Sequence, residues 1–168
     1  RRDRVRAAGA HMWEPLGITP WDDPHNSEDR FARVRVRDSL AHLEAGLGSG
    51  VVEGLARTAL LARADADLLD AQAEAVFAGI VTMSEGSAEA ELTALQSLPD
   101  AIRWRIMRQM VLSLGAAEDA VGVEHVLRLD AYVVDWHGQG PASLPGGIQA
   151  VRAYGRLSLH RQPSVEED

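Results

Sequence analysis

Apolar residues recur every three or four positions through the middle of the chain, which is the spacing of helices with one buried face. The longest run follows Gly50 and predicts an amphipathic helix of about thirty residues. Its apolar stripe consists of Val52, Leu55, Ala59, Ala62, Ala66, Leu69, Ala73, Val76, Ile80 and Met83. The many Ala side chains let a neighbouring helix approach closely, which favours an intramolecular bundle. A coiled coil is the alternative that this stripe allows.

Shorter helices are predicted after this run. One covers residues 87–98, and the next opens at Pro99 and ends before Gly115, the usual places of proline and glycine at helix ends. A further helix is expected from about Val121 to Trp136. The positions expected to be buried on the last two helices are Ile102, Ile106, Met110, Val111 and Leu114, then Val123, Val126, Leu127 and Val134.

The pattern changes its period near residue 138, where glycine and proline interrupt the chain and apolar residues begin to alternate. The alternating residues are Ile148 and Ala150, then Leu157 and Leu159. This predicts two or three short antiparallel strands, with turns at 145–147 and at Gly155. The predicted fold class is therefore mainly α: a helical bundle with a long amphipathic helix and a small C-terminal antiparallel β-ribbon.

The stretch RFARVRVR, residues 30–37, fits two structures. As a strand, it places Arg33, Arg35 and Arg37 on one face. As a helix, it continues into the leucines that follow, and Arg33 and Arg37 share a side one turn apart. The helix accounts for more residues and is preferred, while the strand stays open.

Composition narrows the class of protein. The 168 residues carry a net charge of −8, contain no Cys and include no apolar run long enough for a membrane span. The absence of Cys excludes disulfides and thiolate metal sites, and it fits a reducing cytoplasm. The acidic balance argues against bulk nucleic-acid binding. The arginine run behind the turn-rich segment 20–29 nevertheless suggests a local anion site, because guanidinium groups match phosphate bidentately.

The predicted helix after Pro99 carries a second basic group. Arg105 and Arg108 are expected on its exposed side, and Arg103 on the apolar side, where its stem packs while its head reaches solvent. Trp104 could stack on a base, although packing in the bundle is the preferred interpretation.

Other chemistry has weaker support. No Gly-x-Ser-x-Gly elbow is present, and the six His residues lack ligand spacing, so no metal site is predicted. Asp22, Asp23 and Asp29 have the oxygen ligands that Mg²⁺ prefers, but they are also ordinary turn formers. The glycines of 46–50 follow no strand and precede no Lys-Ser or Lys-Thr, which argues against a phosphate loop.

Residues 18–44, ITPWDDPHNSEDRFARVRVRDSLAHLE, resemble the end of the nucleotide-binding domain of tRNA(Ile)-lysidine synthetases. The counterparts of the family's motif are Asp23, Pro24, Asn26, Phe31, Arg33, Arg35, Arg37, Leu40 and Leu43. Residues 50–70 and 144–159 resemble the substrate-binding domain of short, actinobacterial-type members. His25 stands where the family usually has Ser, and Val34 where it usually has Asn.

The resemblance implies an ATP-dependent ligase of the cytoplasm that adenylates C2 of the wobble cytidine in an isoleucine tRNA, after which lysine displaces AMP. It implies that ATP and Mg²⁺ serve the parent enzyme. By the same resemblance, nucleotide or tRNA phosphate would be bound by Asn26, Arg33, Arg35 and Arg37, and possible tRNA contacts are Arg103, Arg105 and Arg108. The family's Ser-Gly-Gly-x-Asp-Ser loop does not occur in these 168 residues. We therefore expect a fragment or remnant that binds neither cofactor and adenylates nothing alone.

The expected domains follow from this resemblance. Residues 1–46 are a remnant of the nucleotide-binding domain, with 1–20 an imported or truncated edge; residues 47–161 are a helical substrate-binding domain; and residues 162–168 are a disordered acidic tail. The alternative function is a helical protein-interaction or regulatory module without a nucleic-acid partner, which the net charge of −8 favours.

Overall fold

The structure is a computed structural model that describes residues 30–162. The chain divides into two compact units after Ala59. The first unit contains helix α1, Ala32–Leu47, and the start of helix α2, Val51–Ile80. The helix interpretation of the arginine run is confirmed, and the strand interpretation is wrong. Phe31 precedes α1 with an extended backbone, and Gly48 ends the helix at φ +96°, a conformation that glycine adopts without strain.

The second unit combines the rest of α2 with three further helices and an antiparallel sheet. The helices are α3, Leu92–Gln96; α4, Asp100–Ser113; and α5, Val123–Val134. The strands are β1, Val81–Ser84; β2, Ser87–Glu91; β3, Ala142–Leu144; β4, Ile148–Ala153; and β5, Arg156–Arg161. Their order across the sheet is β1-β2-β5-β4-β3.

One face of the sheet forms one side of the core. Side chains alternate along each strand, so every second residue points to the helices. The buried strand residues are Ala88, Ala90, Ala142, Leu144, Ile148, Ala150, Leu157 and Leu159. They form one cluster with Ile106, Met107 and Met110 of α4. The predicted C-terminal strands and their turns are confirmed, as is the predicted buried face of α4.

The sheet is larger than predicted because residues 81–91 form a hairpin. The expected helix over 87–98 is wrong: β1 and β2 pair around a turn at Gly86, and only Leu92–Gln96 is helical. The segment Ser87–Glu91 does alternate, with Ala88 and Ala90 buried. Ala and Glu are good helix formers, so local propensity pointed to a helix and pairing with β5 decided otherwise.

The buried face of α5 also differs from the predicted one. Val126 is buried as expected, but Val123, Leu127 and Val134 are exposed. The side that faces the core carries Leu129, Asp130, Tyr132 and Val133 instead. Asp130 reaches inward because it pairs with a buried arginine, and this fixes the rotation of the helix.

Helix α2 begins where predicted and has thirty residues, but it ends at Ile80, so Met83 of the predicted stripe lies in β1. Its apolar stripe is covered only towards its end, where Ala73 is buried and Leu69 and Val76 pack against the core. Leu61 and Leu68 lie off the stripe and are exposed. The amphipathic character of the whole helix therefore stays a prediction. Among residues 30–162 no helix, this one included, is long and apolar enough to cross a membrane.

Candidate nucleic-acid interface

The arginines of α1 lie on the surface of the first unit. Arg33, Arg35 and Arg37 are all exposed, and Arg33 and Arg37 stand one helical turn apart. Asn26, the fourth residue of this predicted phosphate site, lies outside the described residues. The structure thus brings two of the predicted arginines to one side of a helix, and the role of the site stays a prediction.

Phe31 organises the basic residues around it. The guanidinium carbons of Arg30 and Arg33 lie 4.8 and 4.9 Å from the centroid of its ring, within the range of a cation–π interaction. Nη1 of Arg35 donates to the carbonyl oxygen of Arg30 at 3.1 Å. These contacts hold the arginines close together before any ligand arrives. The aromatic residue inside the run RFAR is the sequence signal for this arrangement.

Arg103 of α4 lies in the interior of the second unit. Its side chain is buried, and Nε donates to Oδ1 of Asp130 at 2.6 Å. Nη1 donates to the carbonyl oxygen of Leu98, and Nη2 to Oδ1 of Asp100. The hydrogen bond that Arg103 donates to Asp130 raises the pKa of Arg103 above its ordinary value, although burial opposes this. The prediction that its head reaches solvent is wrong, because the carboxylates draw it inward.

Arg105 and Arg108 are closer to the surface. Nε of Arg105 donates to Oδ1 of Asp70 on α2 at 2.6 Å, and 29% of its side chain is exposed. Nη2 of Arg108 donates to the carbonyl oxygen of Glu118 at 3.3 Å. Trp104 lies between Arg103 and Arg105 in the sequence. It packs against the core, so the preferred prediction of packing is confirmed. The three arginines of α4 therefore do not form one basic surface.

A second group of aromatic and basic residues was missed in the sequence. Nη1 of Arg152 on β4 donates to the carbonyl oxygen of Tyr132 at 2.6 Å, and its guanidinium carbon lies 5.1 Å from the ring centroid of Trp136. The rings of Tyr132 and Trp136 are 5.4 Å apart and tilted by 53°. Tyr154 follows in the β4–β5 turn and is fully exposed. The signal available in the sequence was weak, because α5 and β4 come together only in the fold.

Arg156, at the start of β5, differs from Arg152 in having carboxylate partners. It pairs with Glu91 at 2.7 Å and with Glu89 at 3.3 Å. The nearby charge of Glu91 raises the pKa of Arg156, with a contribution from its hydrogen bond to Glu89. Its positive charge is therefore largely neutralised where it stands.

Three histidines of the described residues make local contacts with the backbone. Nδ1 of His125 accepts the N–H of Gly122 at 3.1 Å at the start of α5. Nδ1 of His137 lies 3.1 Å from the carbonyl oxygen of Asp135, and His42 has a similar contact with Asp38. Within residues 30–162, no three His, Asp or Glu side chains are grouped as a metal site would require.

Comparison with known proteins finds the family of a segment within the second unit. Residues 91–158 match the family described as TilS substrate binding domain. They belong to that family. The TilS match runs from the end of β2 into β5, so Arg103, Trp136 and Arg152 all lie inside it.

Relatives extend the TilS similarity over most of the chain. The tRNA(Ile)-lysidine synthase of Streptomyces coelicolor is 42% identical over 95% of this chain and 44% of its own length. Those of Leifsonia xyli and Mycobacterium tuberculosis are 44% and 38% identical, over 86% and 88% of this chain and 43% and 47% of their own length. The predicted resemblance to this family is thus confirmed. The chain spans less than half the length of these curated relatives.

Proposed function

We propose that this chain is the tRNA-holding portion of a tRNA(Ile)-lysidine synthase. The observation that carries the proposal is the identity of about 40% to such synthases over most of the chain, together with the TilS substrate-binding match. The relatives are named for the product they make on an isoleucine tRNA, so the substrate proposed for the parent protein is that tRNA. The parent would work in the cytoplasm, where it would use ATP and Mg²⁺ to join lysine to C2 of the wobble cytidine.

The chemical step is assigned to parts of the parent protein other than these residues. No Ser-Gly-Gly-x-Asp-Ser loop occurs in the sequence, and residues 30–162 show no metal-binding group. We therefore expect no ATP-dependent incorporation of lysine into tRNA by this chain alone. Measurable incorporation of labelled lysine would overturn this part of the proposal.

Within this function, α1 is proposed to bind phosphate. Arg33 and Arg37 project from one side of the helix, and Phe31 holds Arg33 in place. The contact with Phe31 reduces the side-chain freedom that Arg33 would otherwise lose on binding. Arg35 adds a third exposed guanidinium to the same helix. Asn26 is retained in the proposed site by resemblance alone.

Filter binding of an isoleucine tRNA transcript at two salt concentrations tests tRNA binding. Each phosphate neutralised by an arginine releases counterions, so affinity should fall steeply as salt rises. A flat dependence on salt, or no binding at low salt, would contradict the proposal. It would favour the second candidate, a protein-interaction or regulatory module, which the net charge of −8 and the exposed leucines of α2 support.

A further inference from the structure

Arg152 carries a charge that the described residues do not neutralise. Arg103, Arg105 and Arg156 each pair with a carboxylate, whereas Arg152 makes no ion pair with any of residues 30–162. Its hydrogen bond to the carbonyl oxygen of Tyr132 leaves the full positive charge in place. The guanidinium is nonetheless held firmly, because the same contact and the ring of Trp136 fix its position.

Trp136 offers part of its ring system to solvent beside this charge. Of its surface, 37% is exposed, although the ring contacts both Tyr132 and Arg152. An indole that is half covered by a cation and a second aromatic ring is a rigid platform on which a further planar group can stack.

Tyr154 lies two residues after Arg152, and its side chain is not stabilised by burial. Its exposure is 102%, so its ring contributes no apolar area to the core. Its φ of +50° is left-handed, a conformation that is strained for a non-glycine residue. Gly155 completes the turn at φ +76°, and its carbonyl oxygen accepts the N–H of Leu92 at 2.9 Å. The ring therefore lies exposed on a fixed turn, and burial of the ring does not offset the backbone strain at Tyr154.

We propose that Trp136, Arg152 and Tyr154 form an RNA-binding surface, which we call the cation–aromatic surface. Arg152 binds a phosphate, and the two aromatic rings stack on unpaired bases, for which every base offers a π-face. This inference rests on the proposed tRNA-binding function and assigns it a place within the TilS match. The surface differs from the basic groups predicted on α4, where Arg103 is committed to the interior.

The replacement of Tyr154 by Asn separates a role in binding from a role in folding. Asn accepts left-handed φ values, and Asn-Gly is a preferred pair in two-residue hairpin turns. Tyr154→Asn is therefore expected to keep or raise the melting temperature while the Kd for an isoleucine tRNA transcript rises at least about fivefold, the loss of one stacked base. Tyr154→Phe keeps the ring and serves as the matched control, with a Kd within about twofold of the unchanged chain.

The charge on Arg152 is tested by the salt dependence of the same binding. Arg152→Gln is expected to lower the slope of log K against log salt by about one, the contribution of one phosphate contact. The melting temperature of this variant is measured in parallel, since the side chain also bonds to the carbonyl oxygen of Tyr132. An unchanged slope in a folded variant would overturn the phosphate contact.

A blunt RNA duplex without unpaired bases is the second probe. Tyr154→Asn should leave its Kd unchanged, because paired bases offer no free face for stacking. Equal losses on duplex and tRNA would overturn the stacking assignment. If the unchanged chain binds tRNA and Tyr154→Asn binds it equally well, the cation–aromatic surface is wrong and the proposed function stands. If the unchanged chain binds no tRNA, the proposed function fails, and the inference fails with it.

Discussion

The arginines of α1 and those of α4 are nearly alike in sequence and opposite in structure. RVRVR in α1 and RWRIMR in α4 each place three arginines within a few residues. On α1 all three are exposed, and the best-defined contact of Arg33 is with the ring of Phe31. On α4 Arg103 is buried with Asp130, and Arg105 pairs with Asp70.

The difference is made by partners distant in sequence. Asp130 lies on α5 and Asp70 on α2, and only the fold brings them to α4. A guanidinium that meets a carboxylate in the interior becomes part of the structure, because an unpaired buried charge is costly. A basic run therefore does not by itself indicate a binding surface, because carboxylates distant in sequence can bury and pair its side chains.

Removal of the buried arginine gives the largest expected effect. Arg103→Met would leave the Asp130 carboxylate buried without its partner, and such changes cost about 3–5 kcal/mol of stability. Urea unfolding measures the change. The matched control is Arg108→Met, whose single described hydrogen bond lies on the surface and whose loss should cost no more than about 0.5 kcal/mol. Similar losses in both variants would remove the contrast within α4.

A double replacement with Asp130→Leu sharpens the same point. When both charged residues are replaced by apolar ones, no charge is left unpaired in the core. We expect Arg103→Met/Asp130→Leu to recover a large part of the stability lost by Arg103→Met alone. A double variant that is less stable than the single one would show that the pair contributes more than mutual neutralisation.

The α1 arginines should behave in the reverse manner. Arg33→Gln/Arg37→Gln is expected to weaken tRNA binding about tenfold and to lower the salt slope by one to two, roughly one unit per phosphate contact. Stability should change by less than about 0.5 kcal/mol, because both side chains are exposed. Arg57→Gln/Arg63→Gln removes the same charge from exposed positions of α2 and is the control. Equal losses in the two double variants would mean that only net charge matters.

The pair of Arg105 and Asp70 gives the smallest expected effect. Its Asp70 side chain is 67% exposed, so solvent screens the attraction, and a double-mutant cycle with Arg105→Ala and Asp70→Ala should give about 0.2–1 kcal/mol. The coupling should shrink at 0.5 M salt. A coupling above about 2 kcal/mol, unaffected by salt, would place Arg105 with Arg103 as a structural residue.

Elements with strong local patterns were predictable from the sequence. The helix over α2 and the buried face of α4 followed from apolar residues at helical spacing. The C-terminal strands followed from alternation between Gly and Pro turns. The resemblance to the family is carried by residues 18–44, 50–70 and 144–159.

Elements that depend on distant contacts were not predictable. The strand Ser87–Glu91 has helix-forming residues and is a strand because β5 lies beside it. The buried position of Arg103 depends on Asp130, and the contact of Arg152 with Trp136 joins a strand to the end of a helix. A single sequence shows residue types and local spacing, but it does not show which residues distant in sequence come into contact.

The sheet order also constrains when the second unit can assemble during synthesis. Ala88 of β2 pairs with Leu159 of β5, which lies between β2 and β4 in the sheet. Chains emerge from the ribosome with the N-terminal part first, so the β1–β2 hairpin must wait with an open edge until β5 has been made. Unpaired strand edges attract other chains. We therefore expect a ribosome-bound chain that stops after β4 to be more prone to aggregation than one that includes β5.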